Sequence, residues 1–265
     1  MKKLYYRYEM ELLFNAPVTN HHYRFQCIPA QDAAQRIQTL SCRVEPSGSV
    51  WFVTDGFGNT ACAGEILESH DFLWVNCEGA VLTDIGSSRD EEFQYLFLCP
   101  TVLTQPESNV REFYGEILKK YGWESEGREE KRIPAEMLME ELGRRMIYTP
   151  GVTGVKTTAA QALALGRGVC QDYAHLLISL CRLAGIPARY AAGAMIGEGA
   201  THAWVQVWEK GRWKGLDPAN QCAAGEDYIR FASGRDFADC TVDKGCFFGA
   251  AQQQQKIMVK VEEYT

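Results

Sequence analysis

Ten cysteines and five histidines are the side chains of this 265-residue chain best equipped for nucleophilic chemistry. Sulfur attacks a carbonyl carbon as thiolate, so a reactive cysteine needs surroundings that hold the anion and a group that moves its proton to the leaving atom. Cys170 is singled out by its position. Tyr173, Ala174, Leu177, Cys181 and Ala184 recur at helical spacing and stop at Gly185, with Pro187 just beyond, so Cys170 opens a helix. There a thiol meets the partial positive charge of unpaired backbone N–H groups, which favours the thiolate. The approach Gly166-Arg167-Gly168 reads as bent, exposed backbone rather than core strand. Cys181 lies about 16 Å further along the same helix, too far for a disulfide, and reads as core.

A thiolate enzyme also needs a base, and histidine suits neutral pH. His21 and His22 fall in a strand-rich stretch and His70 at a turn within it, so all three are expected at the surface. His175 is rotated roughly 140° around the helix from Cys170 and is expected to be structural. His202 begins a strictly alternating strand, with Trp204, Gln206 and Trp208 on its face and Ala203, Val205 and Val207 on the other.

The following strand, Arg212 to Asp217, brings back a carboxylate. A turn centred between Glu209 and Lys210 sets His202 opposite Asp217, and one centred between Lys210 and Gly211 sets them on a diagonal. A three-residue loop would send them to opposite faces unless a bulge intervened. A carboxylate beside the ring can hold the imidazole tautomer and stabilise imidazolium. Taken alone, Asp217-Pro218 is more often a turn capper than a catalytic group.

The elements that must carry these residues fall into two parts. Leu4, Tyr6, Tyr8, Met10, Leu12 and Phe14 alternate with Arg7, Glu9 and Glu11, which predicts a half-buried strand. Further strands are predicted around residues 23–27, 35–44, 49–54 and 72–76, punctuated by Glu45-Pro46-Ser47-Gly48 and Asp55-Gly56-Phe57-Gly58-Asn59, a rhythm that suggests a β-sandwich of about a hundred residues. After Pro100 the period changes. Helices are predicted from Ser108 to Gly122, from about Pro134 with Leu138, Leu142 and Met146 on one face, and from Thr158 to Leu165 with Thr157 as cap and Gly166 as stop. The charged stretch from Glu124 to Arg132 reads as a solvated linker. A strand over 188–195, a flexible Gly197-Glu198-Gly199 loop and the hairpin with His202 and Asp217 follow.

Composition narrows the function. With 46% hydrophobic residues the chain can bury a sizeable core, and a net charge of -7 without any Lys or Arg run argues against nucleic acid as partner. No apolar stretch approaches the roughly 20 residues a bilayer requires, and charged residues interrupt the first segment, so no membrane association, no export and a cytoplasmic location are expected. Reduced thiols are expected accordingly. The closest cysteines, Cys240 and Cys246, lack zinc-site spacing, there is no acidic loop of calcium-binding pattern, and neither metal nor cofactor is expected.

Four ordered blocks then become recognisable: Gly168-Val169-Cys170-Gln171-Asp172-Tyr173-Ala174-His175, Gly185-Ile186-Pro187-Ala188-Arg189-Tyr190, Thr201-His202-Ala203-Trp204-Val205 and Leu216-Asp217-Pro218-Ala219-Asn220. In order and spacing they resemble the bacterial transglutaminase-like proteins. The likeness extends to Asp55-Gly56-Phe57-Gly58-Asn59 and to residues 234–239. It implies an α+β fold with a papain-like transglutaminase core over residues 101–265, behind an N-terminal β-sandwich-like domain over 1–100. It also implies a triad in which Cys170 is nucleophile, His202 base and Asp217 orienting acid. Ala219 stands where the family usually has threonine, which removes a hydroxyl but none of the three chemical groups. Gln171, Asp172 and Tyr173 belong to the signature, and their helical phase assigns them to packing or support. The backbone N–H of Cys170 is the natural first oxyanion donor, and the sequence does not identify a second. The implied substrate is an amide bond of a protein or peptide, attacked to give a thioester. Hydrolysis is favoured over transfer to an amine, with a non-catalytic binding protein on the same scaffold as a further alternative. Nothing in the sequence indicates the oligomeric state.

Overall fold

A computed structural model describes residues 1–83, 95–123 and 132–264, so the charged linker that begins at Glu124 lies outside the described residues except for Arg132. The fold is mixed α and β, with four helices and extensive antiparallel sheet among these residues.

The alternation at the N-terminus becomes one very long strand, β1 (Lys2–Phe25), with Leu4, Tyr6, Tyr8, Met10, Leu12 and Phe14 all buried. It is followed by β2 (Gln35–Glu45), β3 (Ser49–Thr54), β4 (Thr60–Ile66) and β5 (His70–Thr83). The first half of β1 pairs with β5, from Lys2 opposite Thr83 to Leu13 opposite Phe72, and its last residues pair with β4. Cys42 of β2 falls directly opposite Cys77 of β5 and the two form a disulfide, which corrects the expectation that all thiols are reduced. The partners are 35 positions apart, and only the strand register brings their Cα atoms to 4.2 Å.

A short 3-10 turn (Tyr95–Leu98) leads to α1 (Ser108–Lys120) and α2 (Ala135–Arg145), then the two-residue strand β6 (Ile147–Tyr148), α3 (Ala159–Leu165), β7 (Arg167–Gly168) and α4 (Cys170–Leu183). Thr158, one residue later than expected, caps α3: its hydroxyl accepts from the Gln161 N–H and the Gln161 side chain accepts from its own N–H. Gly166, at φ 63, ends that helix in the left-handed conformation glycine adopts without strain.

Strands β8 (Ala188–Met195), β9 (Gly197–Gly199), β10 (His202–Glu209), β11 (Arg212–Asp217), β12 (Cys222–Ala224) and β13 (Tyr228–Gly234) follow, and all but β9 form a five-stranded antiparallel sheet in the order β12-β11-β10-β8-β13. Helix α4 lies on it. Leu176, Leu177, Ile178 and Leu180 are fully buried, each worth roughly 1.5–3 kcal/mol of burial. Arg182 pins the helix: its guanidinium donates to the carbonyls of Phe97, Ala188 and Arg235 and to the Thr104 hydroxyl, at 2.6–3.1 Å.

The tail then returns to the first sheet. β14 (Asp243–Phe248) pairs with the end of β1, and β15 (Gln253–Glu263) runs antiparallel to it from Leu4 opposite Glu263 to Phe14 opposite Gln253. A division at residue 100 therefore does not follow the sheets, because both final strands take their hydrogen bonds from the N-terminal half. One continuous apolar cluster joins β1, β5, α4, β8 and β10. No helix among the described residues is long and apolar enough to cross a membrane.

Candidate active site

Cys170 is the first residue of α4 and is partly exposed, behind Val169 in extended conformation. The turn is held by Asp172, whose Oδ2 accepts from the Val169 N–H at 2.8 Å and from the Thr153 hydroxyl at 2.6 Å. Burial pushes the Asp172 carboxyl above the usual carboxylate range, against these hydrogen bonds. Any side chain at Gly168 would begin 2.6 Å from that carboxylate, so the approach to Cys170 requires glycine.

His202 stands opposite Gly193 of β8, and β10 pairs with β11 from Val205 opposite Leu216 to Glu209 opposite Arg212. The turn is thus Lys210-Gly211, both at positive φ, and of the registers open to the sequence the diagonal one is found. Across that diagonal His202 Nε2 lies 2.6 Å from Asp217 Oδ2. Asp217 is fully buried and saturated: Oδ1 accepts from the backbone N–H groups of Ala219 and Asn220, and Oδ2 also accepts from Asn220 Nδ2 at 2.8 Å and the Tyr228 hydroxyl at 2.9 Å. Burial would raise its pKa, but hydrogen bonds and charge from His202, helped by Asn220, hold it below the ordinary aspartate value. Asp217 caps the following turn and holds the ring at the same time.

Burial disfavours a charged His202, yet the hydrogen bond to Asp217 and the side chain of Cys170 outweigh it and lift the ring to about 10. Asp217 occupies Nε2, which leaves Nδ1 as the ring nitrogen available for proton exchange. Cys170, His202 and Tyr148 line one cleft of about 290 Å³, bounded on the far side by Gly197, Glu198 and Gly199. A larger cavity of about 370 Å³, bordered by Gln206, Trp213 and Arg230, contains none of the three predicted residues. Tyr148 is half exposed; burial and the nearby Cys170 and Asp217 raise its hydroxyl pKa, while the backbone N–H of Cys170 pulls the other way. Trp204 stacks beside His202 and meets Tyr228 edge-on, and a Cβ at Gly193 would strike both the Ile229 carbonyl and the Trp204 ring.

Three residues at this site carry no mark in the sequence reading. Asn220 lies in a quoted block without an assigned role, while Tyr148 and Tyr228 stand in unremarkable short strands.

Other expectations require correction. His21 and His70 are not at the surface but buried, with His21 Nδ1 3.1 Å from His70 Nε2 against Phe14 and Phe247, and burial pulls His21 down to about 4. The reason is that β1 continues through His21, which turns it inward; His22 is exposed. The Gly197–Gly199 segment is not a flexible loop but strand β9, paired with Val259–Val261 of β15. His175 is buried, its Nε2 accepting from the Phe237 N–H at 3.1 Å, and burial lowers it to about 4. Among the described residues no cluster of three or more His, Cys, Asp or Glu is placed to hold a metal ion.

Residues 124–218 match the transglutaminase-like superfamily core, and residues 4–82 match the bacterial transglutaminase-like N-terminal region. An uncharacterized protein of Mycobacterium leprae is 39% identical over 127 residues, 44% of this chain and 45% of its own length. One of Mycobacterium tuberculosis is 38% identical over 117 residues, 38% of this chain and 37% of its own length. The chain thus spans less than half the length of these curated relatives. A crystal structure described as a candidate cysteine protease, from Cytophaga hutchinsonii, superposes with a TM-score of 0.77 at 20% identity, over 100% of this chain and 91% of the other. That fold is the fold of this chain.

Proposed function

We propose that this chain, which belongs to the transglutaminase-like superfamily, is a cysteine hydrolase that cleaves amide bonds of proteins or peptides through a thioester on Cys170. The observation that carries the proposal is the 2.6 Å contact between His202 and a saturated, buried Asp217, in the same cleft as a partly exposed sulfur at a helix start.

With its pKa near 10, His202 starts as imidazolium at neutral pH, so the proton needed by the leaving group is already in place. The Cys170 thiolate forms a bond to the carbonyl carbon, and the carbonyl electrons move to oxygen. Collapse of this oxyanion breaks the C–N bond as His202 gives its proton to the departing amine. Water then attacks the thioester and passes its proton to His202, the C–S bond breaks, the carboxylic acid leaves, and thiolate and imidazolium are restored. Asp217 holds the ring in place and balances its charge throughout. Two donors serve the oxyanion, the backbone N–H of Cys170 and the hydroxyl of Tyr148, a phenol that carries its proton at neutral pH. The reaction needs neither metal nor cofactor, and the partner is a protein or peptide substrate rather than nucleic acid or membrane. The unit that works is helix α4 and the five-stranded sheet of β8 and β10–β13, braced by the first sheet, to which β14 and β15 return.

The test is mass spectrometry of a glutamine-containing peptide library incubated with the protein and with the Cys170→Ala variant, with and without a labelled amine. Cleavage or deamidation that depends on Cys170, without amine incorporation, is expected. Predominant amine incorporation would reassign the chain as an amine transferase, and no turnover by either route would favour a binding scaffold.

A further inference from the structure

Strand β9 ends the first sheet, whose order runs β2-β5-β1-β15-β9, so one of its edges is hydrogen-bonded to β15 and the other has no strand neighbour among the described residues. An antiparallel strand sends the N–H and C=O of alternate residues to opposite edges, so β9 presents unpaired backbone groups on its outer side. All three of its residues are exposed, and all three line the cleft that holds Cys170 and His202. Two are glycines: Gly197, at φ 126, holds a conformation that itself calls for glycine, whereas a Cβ built on Gly199 meets nothing within 4 Å, so neither packing nor a positive φ explains the lack of a side chain at Gly199. Glycine in a strand weakens it and marks places where another backbone comes close. The position is firmly fixed nonetheless, because β15 is bonded along eleven residues of β1, and the Ile196 N–H donates to the Asp227 carbonyl just before β9 begins.

We infer that the outer edge of β9 is the docking rail for the substrate, which adds as an extended strand along Gly197–Gly199 and so delivers its scissile carbonyl to Cys170. The inference rests on the peptide-hydrolase reading and specifies it: the substrate is an extended, unstructured polypeptide segment recognised through its main chain. Main-chain recognition reads alternate residues, since only every second amide of an added strand points at the rail. It also explains why the C-terminal strand returns across the molecule: β15 is the element that holds β9 beside the catalytic groups.

The test uses a series of pentapeptide vinyl sulfones that alkylate Cys170, each methylated on one amide nitrogen, with iodoacetamide as a probe too small to need the rail. Methylation at alternate positions is expected to slow labelling at least tenfold, the positions between them to have little effect, and iodoacetamide to react equally throughout. In Gly199→Val, whose side chain enters open space beside the cleft, peptide labelling should fall while iodoacetamide labelling is retained. Cys170 labelled by the peptides with no position-dependent effect of methylation would overturn the rail and leave the hydrolase reading standing. Cys170 reacting no faster than the other exposed cysteines with either reagent would overturn the hydrolase reading, and the rail with it.

Discussion

The hydroxyl of Tyr228 donates to Asp217 Oδ2 at 2.9 Å, on the same oxygen that contacts His202. These residues come from separate strands, β13 and β11, so a donor from the far edge of the five-stranded sheet reaches the carboxylate that contacts the imidazole. Tyr228→Phe removes this donor and leaves the ring, and with it the packing against Trp204. The expected loss is about 1 kcal/mol of stability, with a fall of roughly five- to thirtyfold in kcat and little change in KM. Steady-state kinetics with a peptide substrate checks it. An unchanged kcat would reduce Tyr228 to a packing role.

The raised pKa of His202 sets a pH dependence whose sign is fixed. A cation held more tightly in the folded than in the unfolded protein stabilises the fold fully below the unfolded pKa of 6.5, and that contribution is lost as pH climbs toward about 10. The gap caps it at roughly 5 kcal/mol. Denaturant titrations of the protein and of His202→Gln between pH 6 and 10.5 should show the stability difference shrinking as pH rises. Parallel curves over this range would refute the raised pKa.

Much of the site was legible because local chemistry encodes it. The helical period up to Gly185 places Cys170 at a helix start, and the alternation from His202 with a Lys210-Gly211 turn leads to the diagonal pair. What escaped depends on register between distant segments. Tyr228 reaches Asp217 only because β13 lies across the sheet, and Cys42 meets Cys77 only because β2 and β5 pair in one particular register. His21 and His70 look like surface residues by position, yet the continuation of β1 turns His21 inward to face His70 at the start of β5. The return of β14 and β15 to the first strand has no local signature at all, and for that reason a boundary drawn at residue 100 misplaces them.

Asp172 ties Val169, the residue before Cys170, to Thr153, so its loss should act on both stability and the proposed turnover. Asp172→Ala strands the Val169 N–H and the Thr153 hydroxyl at a partly buried helix start, with an expected cost of about 2 kcal/mol and a marked loss of turnover as Cys170 shifts. Asp172→Asn keeps an acceptor oxygen and should recover most of both. Thermal unfolding and kinetics on the two variants separate a positioning residue, rescued by the amide, from one whose charge is required, which the amide would not rescue.

Tyr148 offers the sharpest test of the proposed chemistry. As an oxyanion donor its hydroxyl acts only when charge develops on the carbonyl oxygen, so Tyr148→Phe should lower kcat by about a hundredfold and leave KM nearly unchanged. The side chain is 52% exposed, and stability should shift by no more than about 0.5 kcal/mol. Alkylation of Cys170 by iodoacetamide passes through no oxyanion, so its rate should be the same in variant and parent. A parallel fall in alkylation and turnover would mean that Tyr148 shapes the cysteine itself, and the second donor would have to be sought elsewhere around the cleft.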